Sequence, residues 1–377
     1  MRFITGGESH GKCLTAIIEG LPAGLIIDEG KINHDLQRRQ GGYGRGGRMV
    51  IETDRVDVEG GVIAGKTIGA PLVLRIANKD WDNWKEKWQK GNLEKLTIPR
   101  PGHADYAGML KYHIYDARLV LERASARETA ARVAVGAVAK QLLSVWDVQI
   151  GSVVNEIGRV AAQIADVDWK DIFIAADKSL LRTSDETAER EMMAIIDQAR
   201  EEGDTLGGVF TVVALGVPIG LGSHVHWERR LEAKLAMAVM SIQAIKGIEV
   251  GEAFENAKKY GSQVHDDMYP NGKGGVYRKT NNAGGIEGGM SNGEPIIVRA
   301  AMKPIATTIK PHDSVNMIDG SAATYMYQRS DYCAVPAAAV VGEAMVAWVL
   351  ADAALEKWGG DSIEEITQRW KNEKISY

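Results

Sequence analysis

GESHGKCLTAIIEGLPAGL, Gly7 to Leu25, lies without a gap over GDTLGGVFTVVALGVPIGL, Gly203 to Leu221. The two share a glycine, an acid, a hydroxyl, a further glycine, a threonine and a closing Gly-apolar-Pro turn. A second pair follows in the same order. GGVIAGKTIGAPLVLR, Gly60 to Arg75, lies over GGIEGGMSNGEPIIVR, Gly284 to Arg299, and each is followed by a lysine, Lys79 and Lys303. A third sets RASARETAARVAVG from Arg123 over RSDYCAVPAAAVVG from Arg329, with Ser125 opposite Asp331. A repeat decides the fold before any single element does. These ordered matches predict two equivalent halves, 1–146 and 147–377, in one domain spanning 1–377.

Local signals fit that frame. Residues 209–215 and 295–301 are short β-branched runs flanked by glycine and read as strands. Residues 184–202, 228–246 and 337–355 read as helices, the first two ending at Gly203 and Gly247. Ser125 and Asp331 both read as N-caps; Ser125 with Glu128 forms a capping-box pattern, and Pro336 falls where a first helical turn tolerates it. Paired strands and blocked helices indicate an α+β fold of antiparallel sheets packed on a helical layer.

Composition narrows the function classes. Of 377 residues, 45% are apolar and 25% charged, so a packed fold is expected rather than disorder. The net charge of −5 argues against an overall nucleic-acid or anionic-membrane binder. The opening MRFITGGESHGK lacks an apolar signal core, and the most apolar later run, 334–351, is broken by Glu343. Neither export nor a membrane span is expected. The only cysteines, Cys13 and Cys333, suit a reducing cytoplasm, Cys333 reading as a small buried filler.

Four features carry chemistry. Residues 36–51 hold Arg38, Arg39, Arg45 and Arg48 among glycines, with Tyr43 and no acid. That pattern reads as a mobile cationic loop and fits bidentate phosphate and carboxylate recognition as well as an RNA-contacting arm. His10 and His103 sit in separate glycine-containing segments and titrate near neutrality, with Asp105 close enough to orient His103. The helix starts near Arg123–Arg127 and Arg329–Asp331 combine cations with free backbone N–H groups, a natural anion site, and Asp331 stands as an acid among cations. The glycine turn of TNNAGGIEGGMSNGEP and the following KPIATT offer a cation and hydroxyls to a phosphate-bearing group. Trp81, Trp84 and Trp88 recur at helical spacing and read as packing or a subunit contact. His224 and His226 lack a third ligand nearby, so no metal is expected.

GESHGKCLTAIIEGLPAG, LERASARETAARVAVG and RSDYCAVPAAAVVGEAM resemble the three signature regions of the chorismate synthase family, and RPGHAD, SIQAIKG and TNNAGGIEGG are further family-like segments. The resemblance implies elimination of phosphate from 5-enolpyruvylshikimate 3-phosphate to give chorismate. It implies reduced FMN without net redox change, with NADPH only as an external source of reducing equivalents. It also implies a cytoplasmic homotetramer whose helical layer is sandwiched between antiparallel β-sheets, without nucleic-acid or membrane partners. By the same likeness Ser9, Arg39, Arg45, Arg48 and Arg127 bind the substrate's anionic groups. FMN contacts fall on Arg123, Ala124, Ser125, Gln243, Ala244, Gly288, Lys303, Pro304, Ile305, Ala306, Thr307 and Arg329. The resemblance further implies that flavin N5 takes the substrate proton. His103 then protonates the departing phosphate, His10 works near the flavin's N1 and C2 oxygen, and Asp331 assists proton handling at N5. Tyr332 beside Asp331, and the DARL run 116–119, depart from the family's usual pattern. The rivals are another FMN- and phosphate-handling enzyme on the same scaffold, and an RNA-binding protein using the Arg/Gly segment.

Overall fold

The computed structural model describes residues 1–46, 52–165, 167–272, 274–326 and 331–374. Arg48 and Arg329 therefore lie outside the described residues. The first half contains β1 (Arg2–Gly6), β2 (Cys13–Glu19), β3 (Val56–Gly60), β4 (Val62–Ile63), β5 (Lys66–Thr67) and β6 (Leu72–Ala77). The second begins with β7 (Gln149–Ile157), β8 (Val160–Ala161), β9 (Gly208–Leu215) and β10 (Ile245–Val250). It continues with β11 (Met268–Pro270), β12 (Val276–Arg278), β13 (Ile286–Glu287), β14 (Met290–Ser291), β15 (Ile296–Met302), β16 (His312–Val315) and β17 (Ala322–Tyr325).

Among the described residues the two larger sheets are antiparallel, ordered β1-β2-β6-β3 and β10-β15-β9-β7-β8. Apart from the edge strand β8 the two orders are the same, with β9 in the place of β2 and β15 in the place of β6. The register repeats as well: Thr15 pairs with Arg75, and Thr211 with Arg299. The small hairpins β4-β5 and β13-β14 occupy matching places. Alternation explains the faces of the first sheet. Leu14, Ala16 and Ile18 point to the core on β2, as do Leu72, Leu74 and Ile76 on β6, while Ile17 between them is exposed.

Two helices, Thr129–Leu143 and Val335–Trp358, form the layer between the sheets. Their crossing is close enough that a Cβ on Gly136 would come within 2.2 Å of the Ala344 Cβ. Glycine is thus required there. Helix Glu29–Gln40 packs on both. Val335–Trp358 is apolar over most of its length and long enough to cross a bilayer, yet it is mostly buried inside the fold, as a core helix is.

Glu343, fully buried in that helix, is tolerated because it is enclosed by donors. Its carboxylate accepts hydrogen bonds from Arg38 (2.8 Å, twice), Lys140 (2.7 Å), Arg182 (3.2 Å) and Ser152 (2.6 Å). Asp35 accepts from Arg38 and Lys140, each at 2.8 Å. Burial alone would raise the Glu343 carboxyl, but Arg38, Lys140 and Arg182 more than reverse this and hold it well below the usual range.

Several sequence expectations are corrected here. Arg38 is not part of a loop: it lies in the last turn of Glu29–Gln40, locked into the Glu343 network. The helix expected over 228–246 is confined to Leu231–Met240. Ala244 then adopts a left-handed φ of 67°, and Ile245–Val250, rich in β-branched residues, pairs with β15 as an edge strand. The capping box at Ser125 does not form. Ser125 Oγ accepts from the Arg127 N–H at 3.2 Å, but Glu128 turns to Thr5 and Arg132 instead. Nor does Asp331 cap the long helix, whose N-cap position is Ala334.

Candidate functional site

Most of the predicted residues fall into three groups; residues 122–132 join the first to the third, and the second is tied to the third by the Lys303 N–H donating to the Ala244 carbonyl. The first is built on the β1–β2 connection. Ser9, buried, donates its backbone N–H to the Glu122 carbonyl at 2.9 Å and pairs its hydroxyl with that of Ser125 at 3.1 Å. His10 follows, its Nδ1 2.8 Å from Glu122 Oε1 and its backbone N–H donating to Glu122 Oε2 at 2.8 Å. Asn78 pins this turn, donating to the Glu8 carbonyl at 3.1 Å and the Gly11 carbonyl at 2.8 Å, while its Oδ1 accepts from Arg127 Nε at 2.9 Å.

Arg127 and Arg39 meet across Asp54. Arg127 donates to Asp54 Oδ1 at 2.6 Å, and Arg39 lies 3.4 Å from the other oxygen. Arg39 also donates to the Thr129 hydroxyl (2.8 Å) and the Ala126 carbonyl (3.0 Å). Burial pulls the Arg39 guanidinium down to about 10, Asp54 offsets part of that, and Arg127 and Arg45 push it further down. Glu52, also buried, lies 3.7 Å from Arg127. Arg45 completes this flank, pairing with Asp331 at 3.0 Å, while Asp331 also accepts the Gly46 N–H at 2.6 Å. Tyr332 leaves that arrangement in place, because its N–H donates to the Gly44 carbonyl and its carbonyl accepts from Leu206 N–H, both at 2.8 Å.

The second group surrounds His103. Its Nδ1 is 2.6 Å from Asp105 Oδ1, and Arg100 grips the same carboxylate through Nε at 2.7 Å and a terminal nitrogen at 2.9 Å. Burial would raise the Asp105 carboxyl, but His103 and Arg100 together hold it far below the ordinary range. Arg100 also donates to Thr307 Oγ1 at 3.2 Å, and Lys303 Nζ donates to the Gly102 carbonyl at 2.5 Å. The PGH segment thus rests on KPIATT. Pro304 and Ala306 belong to that segment, and the Ile305 carbonyl accepts from Thr205 Oγ1 at 2.8 Å.

In the third group Arg123, half-exposed at the end of helix Ala117–Ala124, donates to the Gly7 carbonyl (3.1 Å) and to Thr5 Oγ1 (3.0 Å). Glu128 accepts from Thr5 (2.7 Å), Arg132 (2.8 Å) and Gln243 (3.3 Å). Gln243 Oε1 is buried and accepts no hydrogen bond among the described residues. Ala124 lies between the first and third groups, and Ala244 accepts from the Lys303 N–H at 2.9 Å. Gly288 is not drawn in: its hairpin turn packs on Ser223 and Leu231. A cavity of about 370 Å³ between Glu29–Gln40 and Thr129–Leu143, lined by Lys31, His34 and Lys140 among others, contains none of the predicted residues.

Sequence reasoning missed the carboxylate and amide partners of the site. Glu122, Asp54 and Asn78 are separated from their partners by tens of residues, so no local spacing announces them. Trp84 reads from its spacing as packing or a subunit contact. Its ring packs 4.5 Å from the His10 ring at 45°, with Arg118 against it at 5.4 Å. Arg38 leaves the RNA-arm reading without its first contact, because it is buried.

Two imidazoles held by carboxylates, one of them linked through Asn78 to a buried pair of guanidinium groups, have the chemistry of an enzyme site for a small anionic molecule. The chain matches the family described as Chorismate synthase over residues 1–355. It is 53% identical to the chorismate synthase of Geotalea uraniireducens over 98% of each chain, and 54% identical to that of Thermoanaerobacter pseudethanolicus over 98% of this chain and 97% of the relative. A crystal structure of a chorismate synthase superposes with a TM-score of 0.80 at 44% identity, covering 98% of this chain and 96% of that one. The chain belongs to the chorismate synthase family, lyases of the last shikimate-pathway step.

Proposed function

We propose that this chain eliminates phosphate from 5-enolpyruvylshikimate 3-phosphate, with anti-1,4 geometry, to give chorismate. The observation that carries the reading is the convergence of three guanidinium groups, Arg39, Arg127 and Arg45, held by Asp54, Glu52 and Asp331, with Arg127 Nη2 buried and making no hydrogen bond among the described residues. A substrate bearing a phosphate and two carboxylates offers these guanidinium donors anionic oxygens to bind. Each charge-assisted hydrogen bond contributes about 1.5–3 kcal/mol against the cost of burying such an anion. Ser9 adds a hydroxyl on the same wall, and Arg48 and Arg329 join by family likeness.

The residues present fit FMN. Gln243 Oε1 is a buried acceptor lacking a donor, as a ring N–H would supply. Lys303, Thr307 and Arg123 offer a cation, a hydroxyl and a second cation to a phosphate, with Ala124, Ser125, Ala244, Pro304, Ile305 and Ala306 supplying the intervening wall. Gly288 and Arg329 join this set by family likeness alone. When bound, reduced FMN supplies electron density to the elimination without net redox change. His103, oriented by Asp105 and Arg100, donates a proton to the departing phosphate. His10 handles a proton at the flavin edge, and Asp331 serves proton transfer from beside Arg45. Cytoplasmic placement, a homotetramer, an external NADPH-linked supply of reduced flavin, and one domain of two duplicated halves, 1–146 and 147–377, complete the proposal.

The test is an anaerobic assay with this substrate and either reduced or oxidised FMN, following phosphate and chorismate together. Stoichiometric release of both with reduced flavin alone supports the reading. Equal turnover with oxidised flavin, or no turnover with reduced flavin, refutes it.

A further inference from the structure

We infer that Glu122 is a positioning residue that sets the protonation geometry of His10. The inference rests on the proposed role of His10 in handling a proton at the flavin edge. Glu122 is buried at the end of helix Ala117–Ala124 and grips residue 10 twice: Oε2 accepts the backbone N–H and Oε1 faces Nδ1, both at 2.8 Å. A third bond, from Ser9 N–H to the Glu122 carbonyl at 2.9 Å, is backbone only and survives any change of side chain.

An ionised carboxylate accepts hydrogen bonds and donates none. Against it, Nδ1 of a neutral imidazole must carry the ring proton, which leaves Nε2 with the lone pair. The opposite ring nitrogen, Nε2, is therefore the atom that accepts and returns a proton, while the Nδ1 proton stays in its bond to Glu122. The ring is fixed on its face too. Trp84 lies 4.5 Å away, its own indole N–H donating to Asp80 Oδ2 at 3.0 Å. Carboxylate and indole together remove both the tautomeric and the rotational freedom of an imidazole on a glycine-flanked turn.

Glu122→Gln discriminates this role from simple loop anchoring. The amide keeps one acceptor, which the backbone N–H of His10 retains, and turns a donor toward Nδ1. That donor drives the ring proton to Nε2. With reduced FMN we expect kcat to fall about tenfold, the difference between a charge-assisted and a neutral hydrogen bond, with KM changed less than twofold. Nitrogen-15 NMR of histidine-labelled protein should show the neutral His10 ring protonated at Nδ1 in the parent and at Nε2 in the variant. In the double variant with His10→Ala, Glu122→Gln should cost nothing further.

Unchanged kcat in Glu122→Gln, where His10→Ala alone is impaired, overturns the inference and leaves the proposed function standing. Full turnover in His10→Ala instead removes the role of His10 itself. A parent ring protonated at Nε2 also overturns the inference. Should Glu122→Gln unfold, Glu122→Asp keeps the charge at a shorter reach and should retain the Nδ1 tautomer with reduced kcat, and a shift to Nε2 there would count against it.

Discussion

Glu343→Gln tests the ion network that joins the helical layer to both halves. The substitution keeps the shape of the side chain but removes the charge that receives Arg38, Lys140 and Arg182. Asp35 and Asp177 remain as the nearby anions, too few for three buried cations. Breaking one partner of a buried charge cluster costs about 3–5 kcal/mol. For a chain of 377 residues the unfolding entropy is about 0.8 kcal/mol per kelvin, so Tm should drop by roughly 4–6 °C at pH 7. The acid limb provides a second check. The folded carboxyls of Glu343 and Asp35 lie below their unfolded values, so their contribution is complete above about pH 5 and is lost as pH falls through the folded values. The gap in Tm between parent and variant should therefore shrink toward pH 3. Scanning calorimetry at pH 7, 5 and 3 gives both answers. Equal Tm at pH 7, or a gap that widens in acid, would refute the reasoning.

Other expectations follow from the same geometry. Gly136→Ala places a methyl within 2.2 Å of Ala344 and should cost about 1–3 kcal/mol, lowering Tm by roughly 1–4 °C in thermal denaturation. Asp105→Asn removes the carboxylate that Arg100 and His103 share, so turnover should fall by at least about tenfold in steady-state assays while FMN affinity changes little. Arg39→Lys cannot span Asp54, Thr129 and the Ala126 carbonyl with one ammonium, and KM for the phosphorylated substrate should rise about tenfold or more. Gln243→Leu removes the buried acceptor without a donor, and fluorescence titration should show weaker flavin binding by about fivefold, the loss of one modest hydrogen bond.

The sheets were legible because their determinants are local and repeat: Thr15 and Thr211, Arg75 and Arg299 occupy the same register positions in two segments that align letter by letter. The long helix was legible for a related reason, its apolar run from Ala337 to Leu350, mostly alanine and valine, being broken by a charge only at Glu343. What escaped was set by contacts between distant residues. Ile245–Val250 continues an apolar run that reads as helix until β15 is available to pair with it. Asp331 looks like a cap until Arg45 and the Gly46 N–H appear beside it. Arg38 looks like a ligand-seeking cation until Glu343, 305 positions away, is found against it. The basic and imidazole residues of the site lie in short glycine-containing motifs and can be picked out singly. Their acidic partners come from other segments and are visible only once the chain is folded.

The burial of Val335–Trp358 between the sheets has a consequence for how the protein is made. The inner face of the first sheet and helix Thr129–Leu143 emerge from the ribosome some two hundred residues before the helix that covers them. During that interval Gly136, the aliphatic row of β2 and β6, and the cations Arg38 and Lys140 lack the partner that seals them. Such a nascent chain must wait, exposed and prone to stick, so demand for chaperones during synthesis should exceed what the finished fold would suggest.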